Sequence, residues 1–387
     1  MNTNARFLQI HWLASYPATL LNRDEAGLAK RMPFGGDTRS RISSQCLKRH
    51  WRLAGQDTLE QAKQHPWALG NVGVPMGIRS KEIVADRIMK LATEDLPVSD
   101  ELQSAVQDVL LKSLYGKNAA DAKKRQALFF GQPEIDYLAS KTRRALETGD
   151  AKVAAAQLEH FFSDERKNLN ALRDGAGLES ALFGRMMTSD PAANRDGTIH
   201  VAHALSVHPM ERELDFMTVV DDLKSESVDA DSGAAGVFDM ELVSGLYYGY
   251  VVVDVELLVS NLSGDRAAAA RVVEHLVHLI ADVSPGAKKG STAPYTYAEL
   301  MLVEAGRRQP RTLANAFRKA IPLKGGDIGE RAAQAMGDYL QRVDAAYGEA
   351  EQRRQLSVLE VGLPGVEVVN LGALATFAAN HIEASTP

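Results

Sequence analysis

The amino-acid sequence predicts an α+β fold, in which a large helical insertion interrupts a β-α-β-β-α-β core. A strand-like segment at residues 6–14 is followed by a helix-like segment at residues 40–54. Residues 57–185 then differ in composition, because Ala, Leu, Lys, Glu and Gln dominate and helix-period patterns recur. Strand-like segments return after this block. A β-α-β-β-α-β order with one insertion is the simplest arrangement that accounts for the succession.

The N-terminal elements are predicted from turn and stop signals. Tyr16-Pro17 is expected to end the first strand. Residues 22–38 are rich in Asn, Asp, Gly and Pro and are predicted as a loop, with Gly35-Gly36 as its sharpest turn signal. A helix is predicted from Ser40 to Ala54, where the next residue is a glycine.

The insertion and the segments after it are predicted from periodicity. Helical patterns within the insertion cover residues 101–114, 134–146 and 152–162. Residues 226–236 are acidic and rich in Gly and Ala, which predicts an exposed loop or hairpin tip. The remaining predictions are strands at 198–207, 245–259 and 295–303, a helix at 267–283, and a β-rich stretch at 361–369 before a ragged tail.

Composition excludes several protein classes. The 387 residues are 45% hydrophobic and 24% charged, as in an ordinary globular protein, and the net charge of -6 argues against indiscriminate coating of nucleic acid. Cys46 is the single cysteine, so no intramolecular disulfide can form. The apolar stretch 242–259 carries Asp254 and Glu256, which is unlike a membrane span. We therefore expect a cytoplasmic protein with no membrane partner and no cofactor.

The predicted helix at residues 40–54 is strongly amphipathic. On a helical wheel Arg41, Gln45, Lys48 and Arg52 form one stripe, and Arg49 lies at its edge. The apolar side chains fall on the opposite side. One face can therefore pack in a core while the other presents cations in a line.

Local charge distinguishes this helix from an ordinary solvated helix face, which is the alternative interpretation. Residues 23–52 contain eight Lys and Arg against three Asp and Glu, in a chain that is acidic overall. No acidic residue lies between Ser40 and Gly55. Ser43 and Ser44 add neutral donors, and the preceding glycine pair would let the backbone approach phosphates closely. The pattern indicates a polyanion site without specifying the polyanion.

Other constellations favour structural roles. The histidines at 200, 203, 208, 275 and 278 lack convergent partners for a metal, and no metal site is predicted. Residues 286–292 are rich in Gly and Lys but lack Walker spacing, so a basic loop near nucleic acid is the open alternative to a plain turn. Base stacking by Tyr247, Tyr248 and Tyr250 is the alternative to a core strand. Asp221-Asp222 would face opposite ways in a strand, so a two-metal site is not favoured.

Several ordered sequence blocks carry a resemblance to a known family. They resemble blocks of the backbone subunit of the type I-E CRISPR Cascade complex, the CasC family, over nearly the full length. These blocks are Leu21-Asn22-Arg23-Asp24, Phe34-Gly35-Gly36, Arg41-Ile42-Ser43-Ser44-Gln45-Cys46-Leu47-Lys48-Arg49, Ser180-Ala181-Leu182-Phe183-Gly184-Arg185-Met186, Val201-Ala202-His203-Ala204, Thr218-Val219-Val220-Asp221-Asp222-Leu223, Val283-Ser284-Pro285-Gly286-Ala287-Lys288 and Leu313-Ala314-Asn315-Ala316-Phe317.

The resemblance implies a hand-shaped, non-enzymatic protein. Its palm would be an RRM-like (ferredoxin-like) fold made of residues 1–56 and 196–387, with residues 57–195 as an inserted helical finger domain. Its thumb would be a hairpin at about residues 206–238. Several copies would polymerise along the crRNA spacer as a helical filament, kink it at regular intervals and leave most bases free to pair with target DNA in antiviral defence.

The resemblance also implies site residues and partners. The residues expected to hold crRNA phosphates and riboses are Arg23, Lys30, Arg41, Ser43, Gln45, Lys48, Arg49 and Arg52, with Met186 as a wedge near the bases. Thumb contacts at the kink would come from Leu214, Phe216 and Met217. Asp37 stands where the family would place a basic residue, and the segment 226–236 has no close match. Expected partners are crRNA, other copies of the chain, and the large, small, handle-binding and RNA-processing Cascade subunits.

A metal-dependent RNA-cleaving relative is the alternative function. Backbone subunits of type III CRISPR complexes cleave RNA with an acidic loop residue, and Asp24 and Asp37 are the acidic loop residues here. The blocks quoted above resemble the type I-E branch instead, in which this subunit is not a nuclease. The sequence therefore favours a scaffold without chemistry of its own.

Overall fold

The computed structural model describes residues 5–164, 177–185, 194–220 and 234–383. They divide into two compact units. The first consists of the described residues within Met1–Ala68, Val201–Val253 and Ala270–Pro387, and the second of those within Leu69–His200 and Asp254–Ala269. Residues 254–269 thus group with the helical insertion, whereas the sequence-based boundaries place them in the palm.

The chain begins with strands and then becomes mainly helical. The first elements are β1 (Phe7–Thr19), β2 (Arg31–Phe34), β3 (Asp37–Ile42), α1 (Ser44–Arg52) and α2 (Leu59–Ala62). The insertion holds β4 (Ile78–Ser80), a π-helical segment (Val84–Met89) that leads into α3 (Lys90–Ala92), α4 (Asp100–Tyr115), β5 (Leu128–Phe130), α5 (Gln132–Leu146), α6 (Ala151–Asp164) and α7 (Leu178–Phe183).

Strands return after the insertion, followed by further helices. These elements are β6 (Ile199–Val201), β7 (Ala204–Ser206), β8 (Glu211–Val220), β9 (Ala234–Asp254), α8 (Val255–Asn261), α9 (Arg266–Asp282), α10 (Lys289–Thr292), β10 (Leu300–Gly306), α11 (Ile328–Tyr347), β11 (Gln352–Ser357) and α12 (Leu371–Glu383). Short 3₁₀ helices occur at Leu69–Asn71, Gly116–Asn118 and Ala314–Phe317. None of the described helices is long and apolar enough to cross a membrane.

The main sheet has the strand order β11-β10-β1-β9-β7-β3-β2, and β8 pairs separately with the first part of β9. The pairs β1–β10, β10–β11, β7–β9, β3–β7 and β2–β3 are antiparallel. One sheet face, with Leu13, Leu246 and Leu302, packs against Ala333 and Met336 of α11. The antiparallel sheet and the helices confirm the predicted α+β class.

Several predicted boundaries are wrong for identifiable reasons. β1 continues through Tyr16 and Pro17 to Thr19. The predicted strand at 245–259 ends at Asp254, because the Asp254 carboxylate accepts the Leu257 amide at 3.1 Å and starts α8. Residues 361–369 contribute only a bridge to Gln355, and the predicted ragged tail contains α12.

The sheet encloses a buried charged network. The His11 imidazole lies 2.8 Å from the Tyr248 hydroxyl and 3.1 Å from the Glu304 carboxylate, which also accepts from Arg311 and Arg353. Burial alone would raise the pKa of Glu304, but hydrogen bonds from Arg311 and His11 hold it well below its ordinary value. The network keeps an ionised carboxylate inside the core by giving it several donors.

A second titratable cluster lies between α9 and the segment before the insertion. The His278 ring stacks on Trp67 at 3.7 Å, and His65 lies 3.8 Å from the Asp282 carboxylate. Burial, and then the neighbouring His275 and His65, lowers the pKa of His278 from 6.5 to about 4. The folded protein therefore holds His278 neutral at a pH where the unfolded chain would protonate it.

We predict that this histidine makes the first unit sensitive to acid. Between pH 6.5 and 4 the unfolded state binds a proton that the folded state does not, so acid favours unfolding. The loss should approach about 1.4 kcal/mol per pH unit for this one group. Denaturant unfolding of wild type and His278→Gln across this range measures it. Equal pH slopes for the two proteins would contradict the prediction.

Candidate nucleic-acid interface

Helix α1 begins at Ser44 rather than Ser40, and Ser43 is its N-cap. The Ser43 hydroxyl accepts the Cys46 amide at 3.3 Å, and the Ser43 amide donates to the Asn22 side chain at 2.9 Å. Ser43 is buried, and its hydroxyl caps the N-terminus of α1. Leu47 and Trp51 bury the inner face of α1, as the amphipathic pattern predicts.

The outer face of α1 carries most of the predicted stripe. Gln45 and Arg49 are exposed, and Lys48 and Arg52 are half-buried. Burial lowers the pKa of Lys48. The helical placement of Arg41 is wrong, because that residue lies in β3 and pairs with Leu205 of β7.

The predicted loop at residues 22–38 contains most of a β-hairpin. β2 pairs with β3 from Arg31 opposite Ser40 to Phe34 opposite Asp37. Gly35 and Gly36 form the two-residue turn with φ of +66° and +95°. Two adjacent positive φ values match the turns that close tight hairpins. The hairpin brings Arg41 next to Lys30, because the Arg41 amide donates to the Lys30 carbonyl at 2.8 Å.

Two titratable side chains, His203 and Cys46, show that Lys30 lies close to both Arg41 and Arg49. Burial lowers the pKa of His203, and the positive charges of Arg41 and Lys30 lower it further. Burial raises the pKa of the Cys46 thiol to about 11, while Lys30 and Arg49 act in the opposite direction. Lys30 therefore lies near both the hairpin base and α1. We define the cationic surface as Lys30, Arg41, Lys48, Arg49 and Arg52.

The Gly-Lys-rich segment after α9 packs beside this surface. Gly286 donates its amide to the His50 ring at 3.3 Å, and the Lys289 ammonium group donates to the Gly55 carbonyl. Burial lowers the pKa of His50, and the charges of Lys289 and Arg49 lower it further. The composition of residues 286–292 does not show that they pack against the end of α1, so the sequence alone does not decide between a basic loop near nucleic acid and a plain turn.

Arg23 borders a groove between the segment before the hairpin and this Gly-Lys-rich segment. The groove encloses about 480 Å³ and is lined by residues that include Asn22, Arg23, His50 and Gly286. Asp24 also lines it, and its carboxylate accepts the Ala26 and Leu28 amides at 2.9 and 3.0 Å. The Asp24 side chain therefore stabilises the local turn.

A buried arginine fixes the hairpin. Arg39 is fully buried and donates to the carbonyls of Ser206 and Phe317, each at 3.0 Å. Gly35 lies so close to the Arg318 carbonyl that a Cβ atom would come within 1.6 Å of its oxygen. The hairpin carries part of the cationic surface. It is fixed at β3 by Arg39 and at its turn by the close packing of Gly35.

We predict that the two turn glycines tolerate substitution very differently. Gly36→Ala should cost about 1–2 kcal/mol of unfolding free energy, because its φ is positive but its Cβ would meet open space. Gly35→Ala should cost clearly more, because its Cβ would also displace the backbone of Arg318. Denaturant unfolding of the two variants, each compared with wild type, gives both values. Equal costs would show that the close contact does not constrain the hairpin.

A β-ribbon lies where the thumb hairpin is predicted. β8 pairs with β9 from Glu211 opposite Ser244 to Val220 opposite Ala234. Leu214 and Phe216 are 49% and 68% exposed, so their apolar surfaces are available for contact. Met217 is half-buried and, being adjacent to Phe216 in the strand, faces the opposite side of the ribbon from Leu214 and Phe216. Met186 and residues 226–233 lie outside the described residues.

The base of the ribbon is tied to the start of the hairpin through Glu241. This buried carboxylate accepts the Ala29 amide at 2.6 Å and the Arg212 guanidinium at 3.3 Å. Ala29 directly precedes Lys30 of the cationic surface.

The remaining candidate residues have structural roles. Tyr247, Tyr248 and Tyr250 are buried, and their hydroxyls bond to Ser40, His11 and Gln9, so the core-strand interpretation is confirmed. His275 is buried and bonds to the Ala68 carbonyl at 3.0 Å. No group of three or more potential metal ligands occurs within the described ranges.

Comparisons with known proteins now identify the family. The chain matches the Cas_CT1975 family model, described as CT1975-like protein, over residues 8–378. The chain belongs to this family. No curated protein sequence matches it.

Two solved structures share the fold of this CT1975-like protein. A chain described as "CRISPR RNA-guided surveillance complex, pre-nicking" has a TM-score of 0.75 at 22% identity, covering 97% of this chain and 100% of that chain. A chain described as "CRISPR RNA-guided surveillance complex" has a TM-score of 0.67 at 21% identity, covering 96% and 99%. The predicted resemblance to a Cascade subunit is confirmed in family and fold, and the type I-E branch stays a prediction.

Proposed function

We propose that this CT1975-like protein is a crRNA-binding backbone subunit of a type I-E CRISPR surveillance complex. Several copies polymerise along the spacer and present it for pairing with target DNA in antiviral defence. The observation that carries the proposal is the cationic surface, which concentrates positive charge on α1 and the hairpin base of a chain with a net charge of -6.

The chemistry of this surface suits a nucleic-acid backbone. Lys and Arg side chains neutralise phosphates, and such contacts position a strand without reading its sequence. Gln45 is exposed beside Arg49 and offers an amide to a ribose or phosphate. Arg23 lines the groove together with Asp24 and Glu25, and Lys289 lies in the Gly-Lys-rich segment on its other side, where it donates to the Gly55 carbonyl. The same surface would leave the bases free to pair.

The strand order supports an RRM-like palm. The inner strands β1 and β9 are flanked by β10 and β7, the order that a β-α-β-β-α-β core gives when its first and third strands are central. α1 and α9 supply the two helices of that core. The helical second unit would then be the finger domain, and the β8–β9 ribbon the thumb. RNA would bind at α1 and the hairpin, because the tyrosines of the sheet are buried.

The ribbon suits the proposed kink in the RNA. Leu214 and Phe216 present apolar surface on one face of β8, and Glu213 and Asp215 alternate with them on the other face. Exposed apolar groups can wedge against an unstacked base, whereas the neighbouring acids would repel phosphates. Met186 and Met217 complete the proposed contacts, and the other Cascade subunits named above remain the proposed partners.

The proposal assigns no catalysis to this chain, because Asp24 already accepts two backbone amides in a turn. A nuclease would cleave complementary target RNA in the presence of magnesium and would lose that activity on Asp24→Asn or Asp37→Asn. Incubation of the assembled protein with crRNA and labelled target RNA tests this alternative directly. Magnesium-dependent cleavage would overturn the scaffold assignment.

We predict that Lys30→Ala with Arg49→Ala weakens the binding of single-stranded RNA of every sequence alike. The slope of log affinity against log salt should become shallower by about 1.4, because each lost phosphate contact removes about 0.7. Fluorescence anisotropy with several unrelated RNA sequences over a salt series measures both effects.

A charge-matched control for this experiment is Lys117→Ala with Lys152→Ala. These two lysines are exposed and belong to the second unit. The control should bind as the wild type does. A loss confined to particular RNA sequences would indicate base recognition and would contradict a phosphate-binding surface.

A further inference from the structure

The tip of the β2–β3 hairpin adjoins a second group of basic residues. Arg318, Lys319 and Lys324 are all exposed, and no acidic residue occurs from 318 to 326. They follow the 3₁₀ helix Ala314–Phe317, whose end is held by Arg39. We define Arg318, Lys319 and Lys324 as the hairpin-tip surface.

Backbone contacts fix the position of this surface relative to the hairpin. Arg39 donates to the carbonyls of Phe317 and Arg318, at 3.0 and 3.5 Å, and Gly35 lies against the Arg318 carbonyl. The Arg331 guanidinium donates to the carbonyls of Lys324 and Gly326, at 3.1 and 3.2 Å. The backbone of the basic segment is therefore anchored at both ends, and its Arg318 end lies at the turn of the hairpin.

The hairpin connects the two positive surfaces. Lys30 and Arg41 lie at its base and Gly35 at its tip, and the four residues of β2 lie between Lys30 and Gly35, a distance of about 16 Å along the strand. Arg31, Met32 and Pro33 are exposed along this length. Asp37 is the single acidic residue of the hairpin and lies at its turn. A phosphate backbone leaving the cationic surface would meet a short, mainly neutral strand and then positive charge again.

We propose that the hairpin-tip surface binds the phosphate backbone of the same single-stranded RNA, beyond the nucleotides held at α1. The inference rests on the proposed function, which supplies the RNA, and extends its path to residues that the family resemblance does not assign. The ligand is the sugar-phosphate backbone, because the surface offers cations without an exposed aromatic ring among them.

The test is a length series of oligouridylates bound to the wild-type chain and to Arg318→Ala with Lys319→Ala. Short oligomers fill only the cationic surface, so both proteins should bind them equally. Beyond a threshold length the wild type should gain affinity and the variant should not. For the long oligomers the salt slope of the variant should be shallower by about 1.4, for two lost phosphate contacts.

Controls separate this inference from the proposed function. Lys117→Ala with Lys152→Ala removes the same charge elsewhere and should match wild type at every length. Lys319→Ala with Lys324→Ala is a second variant that leaves Arg318 beside Gly35 unchanged. If the affinity of both variants rises with oligomer length as that of the wild type does, the inference is wrong, but the proposal that RNA binds at α1 is unaffected. Absence of salt-dependent RNA binding by the wild type would overturn both proposals.

Discussion

The candidate interface depends on one buried cation, the guanidinium of Arg39. It forms no ion pair with a carboxylate of the described residues, and it is held by the carbonyls of Ser206 and Phe317. Removal of a buried charge from water is costly, so those carbonyls must stay in place around it. They belong to β7 and to the 3₁₀ helix before Arg318. Three chain segments distant in sequence therefore converge on the hairpin that carries Lys30 and Arg41.

The burial of the main sheet explains why the proposed RNA site lies beside it rather than on it. In RRM domains exposed aromatics on the central strands stack on bases. Here the corresponding side chains of β1 and β9 are buried, and His11, Tyr248 and Glu304 form a charged network that needs exclusion from water to remain organised. α11 packs on that face through Ala333 and Met336. Because this face of the sheet is covered, the accessible basic residues of α1 and the hairpin lie beside the sheet.

The sequence predicts α1 well because its pattern is local. Leu47 and Trp51 recur at helical spacing, and the cations fall on the opposite face. The predicted start at Ser40 is wrong because the Ser43 amide donates to Asn22, far outside any helical window. Arg41 lies in a strand because it pairs with Leu205 of β7, which is equally remote in sequence. The hairpin is not predictable from β2, since Arg31, Met32 and Pro33 are exposed and show no alternation, and its anchor at Phe317 lies 278 residues from Arg39.

Glu241 connects the ribbon to the cationic surface mechanically. Its buried carboxylate holds the Ala29 amide, and the next residue, Lys30, accepts the Arg41 amide. A shift of the ribbon at this point would break a charge-assisted hydrogen bond in a dry environment, or else carry Lys30 with it. The latter is less costly, because the buried carboxylate would otherwise lose one of its hydrogen-bond donors. Contact of Leu214 or Phe216 with a base would therefore be transmitted to the phosphates that we propose Lys30 binds.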